Sequence, residues 1–202
     1  MAASILDITR RFRADFVVSH LFGKAPAISI KEFKKNGYPL NKIVSLVWGA
    51  GEADMVAANC EKGGADGYLA MHFAGVGRDF PVIQEIIEKV YKDKEIPDIV
   101  GQVYYNRGVL SGAVMTEAVR VAIEKFGLPV TGEKVRKAYE TFNAFNLGGF
   151  LPPITISVQD HEGGGMVQIY KTEGCNLVKH TDWFNGYRDV VMAEIKKAGE
   201  TH

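Results

Sequence analysis

The stretch Lys42–Met55, KIVSLVWGAGEADM, decides the fold. Its first seven residues are apolar apart from a lysine and a serine, which reads as a strand covered on both faces. Gly49-Ala50-Gly51 breaks it, and EADMVAANCEK reads as a helix that Gly63 and Gly64 stop. The same unit lies on either side. Upstream, DFVVSHL (15–21) reads as a strand and Ala25 to Lys35 as a helix, with Ile28 and Phe33 inward and Gly37 just past its end. Downstream, DGYLAMHFA (66–74) is a third strand, and the helix after it has Asp79 as candidate N-cap and Pro81 in its first turn. Ile83, Ile87 and Val90 mark the apolar face of that helix, widened by Val82 and Ile86. Alternation at this spacing predicts an α/β fold, a parallel sheet with helices on both faces.

The pattern changes at residue 101. GQVYYNRGVLSGAVMTEAVRVAIEKFG reads as one long helix after a short entry, ended by Gly127 and Pro129. A second helix follows with Thr131 as its cap and Val135, Ala138, Tyr139 and Phe142 inward. NAFNLGGFLPP (143–153) is a loop rich in Gly and Pro. Period-2 patterning at 154–159, 166–173 and 176–181 predicts a C-terminal β hairpin with crossing strands, and a closing helix runs from Tyr187 to Ala198. At the amino end, Ile5, Leu6, Ile8 and Phe12 against Arg10, Arg11 and Arg13 read as an amphipathic helix.

Bulk properties exclude several classes of partner. The 202 residues are 47% hydrophobic, enough for a real core, and 24 basic residues balance 24 acidic ones. That neutrality gives no electrostatic case for nucleic acid or an anionic membrane surface, and KEFKK and KDKE read as solvated helix faces. No stretch approaches the roughly 20 apolar residues of a membrane helix. The amino terminus lacks the basic and apolar regions and the cleavage site of a secretory signal. Cys60 and Cys175 are compatible with a disulfide or with two free, buried thiols.

Three chemistries can be weighed on spacing. His161-Glu162 is followed by three glycines and not by a second histidine four residues on, so it is no zinc helix. DHEGGG (160–165) reads as a turn or connector whose glycines supply positive φ. Gly49 and Gly51 begin a dinucleotide fingerprint, but Asp54 stands where the third glycine belongs and would repel a pyrophosphate. No nucleophile elbow occurs, and Ser19 and His20 point to opposite sides of their strand. No cofactor and no enzymatic activity are expected.

Geometry leaves a binding site. Ligands of open α/β sheets lie beyond the carboxyl ends of the strands. Three stretches converge there: His20-Leu21-Phe22-Gly23, Trp48-Gly49-Ala50-Gly51-Glu52 and His72-Phe73-Ala74-Gly75. A small zwitterionic or apolar ligand suits this lining, with Trp48 or Phe22 stacking and Glu52 accepting from an ammonium. The competing reading makes Trp48 and Phe22 core residues and Glu52 an acid favoured by the helix dipole.

The order of these motifs resembles a family. RADFVVSHLFGKAPAISIKEFKKNGYP, KIVSLVWGAGEADM and GADGYLAMHFAGVGRDFPVIQEIIEKV look like the second lobe of type I periplasmic substrate-binding proteins of branched-chain amino-acid ABC transporters. YYNRGVLSGAVMTEAVRVAIEKFG is similar to the helix that returns to the first lobe, and the segment from Pro152 to Trp183 resembles the closing strands. The resemblance implies a non-enzymatic receptor closing on an amino acid or related small carboxylate and meeting a membrane permease, in the periplasm or outside the cell. It places ligand contacts at His20, Leu21 and Phe22 and at Trp48, Gly49 and Glu52, with Glu52 on the ammonium. It sets Tyr104 and Tyr105 at the cleft edge and His161 near the hinge.

Members are usually about twice this length, so the chain reads as a C-terminal half. Residues 1–100 would be the ligand-binding lobe, 101–153 a helical part of the first lobe, and 154–202 the hinge-crossing strands and last helix. Apolar surface on the long helix from Val109 to Phe126 is then expected to be exposed and to favour self-association or a separate first lobe. A small-effector sensor of the same fold and a truncated product without binding activity are the alternatives.

Overall fold

A computed structural model describes residues 1–199. Five strands form one sheet in chain order: β1 (Val17–Ser19), β2 (Ile43–Ser45), β3 (Leu69–His72), β4 (Gln168–Glu173) and β5 (Asn176–Lys179). β1, β2 and β3 are parallel, with Val17 opposite Ile43 and Ser45 opposite Ala70. β4 and β5 are antiparallel to their neighbours, with Ala70 opposite Tyr170 and Thr172 opposite Leu177. The C-terminal hairpin therefore completes the sheet begun by the first three strands. All three parallel strands are shorter than their apolar runs, because the chain leaves the ladder at Ser19, Ser45 and His72 to form the loops described below.

Among the described residues the α-helices are α1 (Ala2–Leu6), α2 (Ala25–Lys35), α3 (Glu52–Ala57), α4 (Pro81–Val90), α5 (Val103–Phe126), α6 (Gly132–Tyr139) and α7 (Arg188–Gly199). The Pro26 ring in the first turn of α2, where no amide donor is needed, and Gly37 at φ 71° bracket that helix. Thr131 caps α6 by accepting from the Lys134 amide at 3.3 Å. Asp79 does not cap α4: the N-cap is Phe80, without a side-chain bond, and the first amides are masked by Pro81 and by bonds to the Phe80 carbonyl. The amino-terminal segment is one short α-turn continued by a π-turn (Asp7–Arg11). Ile5 is buried, whereas Leu6 and Phe12 are exposed.

One face of the sheet carries the main core. Ile30 and Phe33 of α2, Met55 of α3, and Ile43, Ala70 and Tyr170 of the strands are buried together with Tyr68. Each of the Ile, Phe and Met side chains among them contributes about 1.5–3 kcal/mol by leaving water. A disulfide joins Cys60 to Cys175, with 4.9 Å between their Cα atoms, and fastens the β4–β5 turn to the segment after α3. A second cluster gathers Ile83 of α4 with Val100, Phe150 and Leu151. α5 and α6 pack through Ala118, Ala122 and Ala138.

Residues 154–159 do not form a strand. Ile154 makes an isolated antiparallel bridge with Phe145, and Ser157 and Asp160 turn back on each other. The alternation there reflects one covered side, with Ile156 buried against Phe142, and not membership of the sheet.

Candidate functional site

The parallel strands bring three loops to one edge. The Leu46 amide donates to the Ser19 carbonyl at 2.8 Å, so the chains leaving β1 and β2 start side by side. A Cβ on Gly49 would stand 2.8 Å from the Leu21 carbonyl oxygen, hence only glycine lets these loops close. A Cβ on Gly51 would stand 2.9 Å from the Tyr104 ring. These two glycines make room for protein and not for a phosphate. Asp54, moreover, accepts from the Gly51 amide at 3.0 Å.

Phe22 at 75% and Trp48 at 51% are exposed, as are His20 and Tyr104, while Leu21 is half-buried. Neither Phe22 nor Trp48 is therefore a core residue. Tyr104 donates its hydroxyl to the Trp48 carbonyl at 3.2 Å, tying the start of α5 to the loop after β2. Tyr105, next in the chain, turns away and packs with the cluster around Ile83 and Phe150.

Glu52 begins α3, and both its carboxylate oxygens accept from the Val103 amide at 3.1 Å, which anchors the N-terminus of α5. That bond competes with any ammonium for the same lone pairs. Burial pushes the Glu52 carboxyl above its usual range, against the opposing pull of the backbone amides and of Arg107.

Sequence reasoning passed over Arg107 and its partners. Arg107 lies one turn into α5 and is only 7% exposed. Its guanidinium carbon sits 4.8 Å from the Phe73 ring centre, 5.3 Å from that of Tyr104 and 5.4 Å from that of Trp48. Nη2 donates to the Val47 carbonyl and to His72 Nδ1, the latter at 3.1 Å. A guanidinium only donates, so Nδ1 accepts and the imidazole is neutral with its proton on Nε2. Burial, then the Arg107 charge, holds the His72 pKa down to about 3. Asn106 fixes the same turn by donating to the Gly75 and Gly77 carbonyls at 2.8 and 2.9 Å. The one available signal was YYNR at a helix start.

Phe73 also lines a largely apolar cavity of about 660 Å³ that runs along α5 past Leu110 and Val114 to Leu151, Ile154 and Met166. Leu110, Ser111 and Val114 follow Arg107 at three-, four- and seven-residue spacing, so they share its face of the helix. The DHEGGG segment borders the same cavity through Glu162 and Gly165. Gly163, Gly164 and Gly165 have φ of 81°, 130° and 62°, as the turn reading requires. Asp160 Oδ1 accepts from the Glu162 and Gly163 amides, and Arg188 pairs with Asp160 and Glu162. His161 lies 3.1 Å from Glu140 at the end of α6.

No protein-family model and no curated protein sequence matches the chain. Solved structures do. An ABC transporter permease from the Pseudomonas fluorescens group is 27% identical, with a TM-score of 0.89 over 99% of this chain and 50% of its own. A branched-chain amino-acid ABC transporter protein from Thermus thermophilus with bound valine is 23% identical, with a TM-score of 0.76 over 94% and 51%. A fatty-acid ABC transporter substrate-binding protein from Thermomonospora curvata is 14% identical, with a TM-score of 0.70 over 96% and 48%. The chain thus spans about half the length of the structures it matches. Over that half it has the fold of the type I substrate-binding proteins of branched-chain amino-acid ABC transporters.

Proposed function

We propose that this chain supplies one lobe, and helices of the opposing lobe, of a solute-binding protein serving an ABC importer. It holds an amino acid or a related small carboxylate between the lobes and performs no chemistry on it. The observation that carries this reading is the set of exposed aromatic side chains, Phe22, Trp48 and Tyr104, around the carboxyl ends of β1–β3 and the start of α5. Surface aromatics gathered at that edge suit a ligand better than a folding role. The likeness to proteins named for valine and fatty-acid transport supports a small solute without choosing between those classes.

In this reading residues 1–100 and the β4–β5 hairpin build the ligand-binding lobe, and residues 101–153 belong to the opposing one. The rest of 154–202 is the return path. His20, Leu21, Phe22, Trp48 and Tyr104 face the solute. Gly49 shapes the loop, Glu52 sets α5 against it, and Tyr105 steadies that helix from behind. Closure of the lobes on the solute creates the surface that a membrane permease meets. The Cys60–Cys175 bond supports an oxidising compartment, periplasmic or extracellular.

Saturation-transfer NMR of the folded chain with valine, leucine and a medium-chain fatty acid tests the reading, and detects weak as well as tight binding. Saturable binding of one of them, weakened by Trp48→Ala, is the expected result. Absence of binding for all three, with the thermal melt still cooperative, would sink it.

A further inference from the structure

Arg107 is a buried cation that feels the Glu52 carboxylate only at a distance and has no direct ion pair among the described residues. Its Nε and Nη1 are buried without a hydrogen-bond partner, and among the described residues no carboxylate lies within the 4.0 Å of an ion pair. Its one bonded nitrogen, Nη2, meets a carbonyl and a neutral imidazole, neither of which carries a compensating charge. Glu52 is drawn to the Val103 amide. Unpaired buried donors on a charged group are costly, and their presence in a folded protein calls for an acceptor that arrives from outside.

The surroundings say what kind of acceptor. Nε and Nη1 point to different sides of the planar guanidinium, so each offers an acceptor a single charge-assisted N–H, of the kind a carboxylate oxygen accepts. Of the three rings around the guanidinium, Trp48 and Tyr104 are the half-exposed ones, held to each other by the bond from the Tyr104 hydroxyl. The third ring, Phe73, opens on the apolar cavity beside Leu110 and Val114. We infer that Arg107 is the receptor for the solute's carboxylate, with the solute's apolar body lying over Phe73 toward that cavity. The inference rests on the solute-binding reading and narrows it to monocarboxylates with an apolar body. For such a ligand the carboxylate is the recognised group and an ammonium is dispensable.

Three probes of one shape separate the possibilities: isocaproate (carboxylate alone), leucinamide (ammonium alone) and leucine (both). The Arg107 Nε–H resonance of the full chain is followed by NMR during each titration, and affinities are compared with those of Arg107→Met and Arg107→Lys. Isocaproate and leucine are expected to shift that resonance saturably, and leucinamide to leave it in place. Arg107→Met should weaken isocaproate at least about tenfold, the value of one charge-assisted hydrogen bond, and Arg107→Lys should recover part of the loss. The titration of the unmodified chain stands even where a variant fails to fold. Leucinamide binding without isocaproate binding, or isocaproate binding indifferent to Arg107→Met, would overturn the inference and leave a solute-binding lobe. Failure of all three probes to bind the folded chain would overturn both.

Discussion

The sheet lobe and the α5–α6 pair are built from similarly apolar sequence, yet only one of them closes its core. Around β1–β3 the apolar residues Ile30, Ile43, Met55 and Tyr68 are fully buried, and a disulfide locks the hairpin onto them. Along α5 and just past it, Met115 at 69% and Leu128 at 75% are exposed, together with Val119, Ile123 and Phe126. α6 covers one stripe of the long helix through Ala118 and Ala122 and leaves the next uncovered. Apolar periodicity thus reports that a face wants a partner, and not that the partner is at hand.

Removing the lock should produce the largest contrast. Replacing both cysteines, Cys60→Ser with Cys175→Ser, opens a loop of 115 residues and should cost about 2–5 kcal/mol in a denaturant titration. A loss below about 1 kcal/mol would mean that the hairpin holds to the sheet without the bond. Core truncation comes next. Ile43→Ala should cost about 2–5 kcal/mol, whereas Met115→Ala should stay within about 0.5 kcal/mol by the same assay. Equal losses would show that α5 is covered in solution.

Acid should sharpen the contrast through His72. Its pKa is near 6.5 when unfolded and about 3 when folded, so the unfolded chain binds the extra proton between those values. Stability should therefore fall as the pH drops below about 6.5, by up to about 1.4 kcal/mol per pH unit. Glu52 and Asp54, raised by burial, act in the opposite sense nearer the carboxylate range. The interval from about pH 6.5 to 5.5 is therefore where His72 dominates, and His72→Asn should flatten it. The smallest effect on stability is expected from Met115→Lys with Ile123→Lys. That pair should abolish any self-association seen by sedimentation; association that survives must use another surface.

Legibility in the sequence followed the range of the forces involved. α2 and α6 could be read to the residue at one end or both, because Pro26, Gly37 and Thr131 act within a turn of themselves. The strands came out too long, since an apolar run says where a chain is buried and not where its ladder ends. Alternation at 154–159 misled for the same reason. The disulfide stayed open because cysteines 115 positions apart meet only once the chain between them has folded. Arg107 was missed because its partners, Val47, Trp48, Phe73 and His72, lie 34 to 60 positions away and include a carbonyl, two ring faces and an imidazole nitrogen that no motif encodes. Glu52 was singled out for its charge, and its bond to Val103, 51 positions on, could not be foreseen.

The most direct test of the central claim places the reporter in the site. In a Trp183→Phe background Trp48 is the single tryptophan, stacked on Arg107 and half open to solvent. Titration with isocaproate should change its fluorescence saturably, and leucinamide should not. An emission indifferent to isocaproate, leucine, valine and a medium-chain fatty acid alike, in a chain that still melts cooperatively, would contradict a solute site at the carboxyl edge of β1–β3.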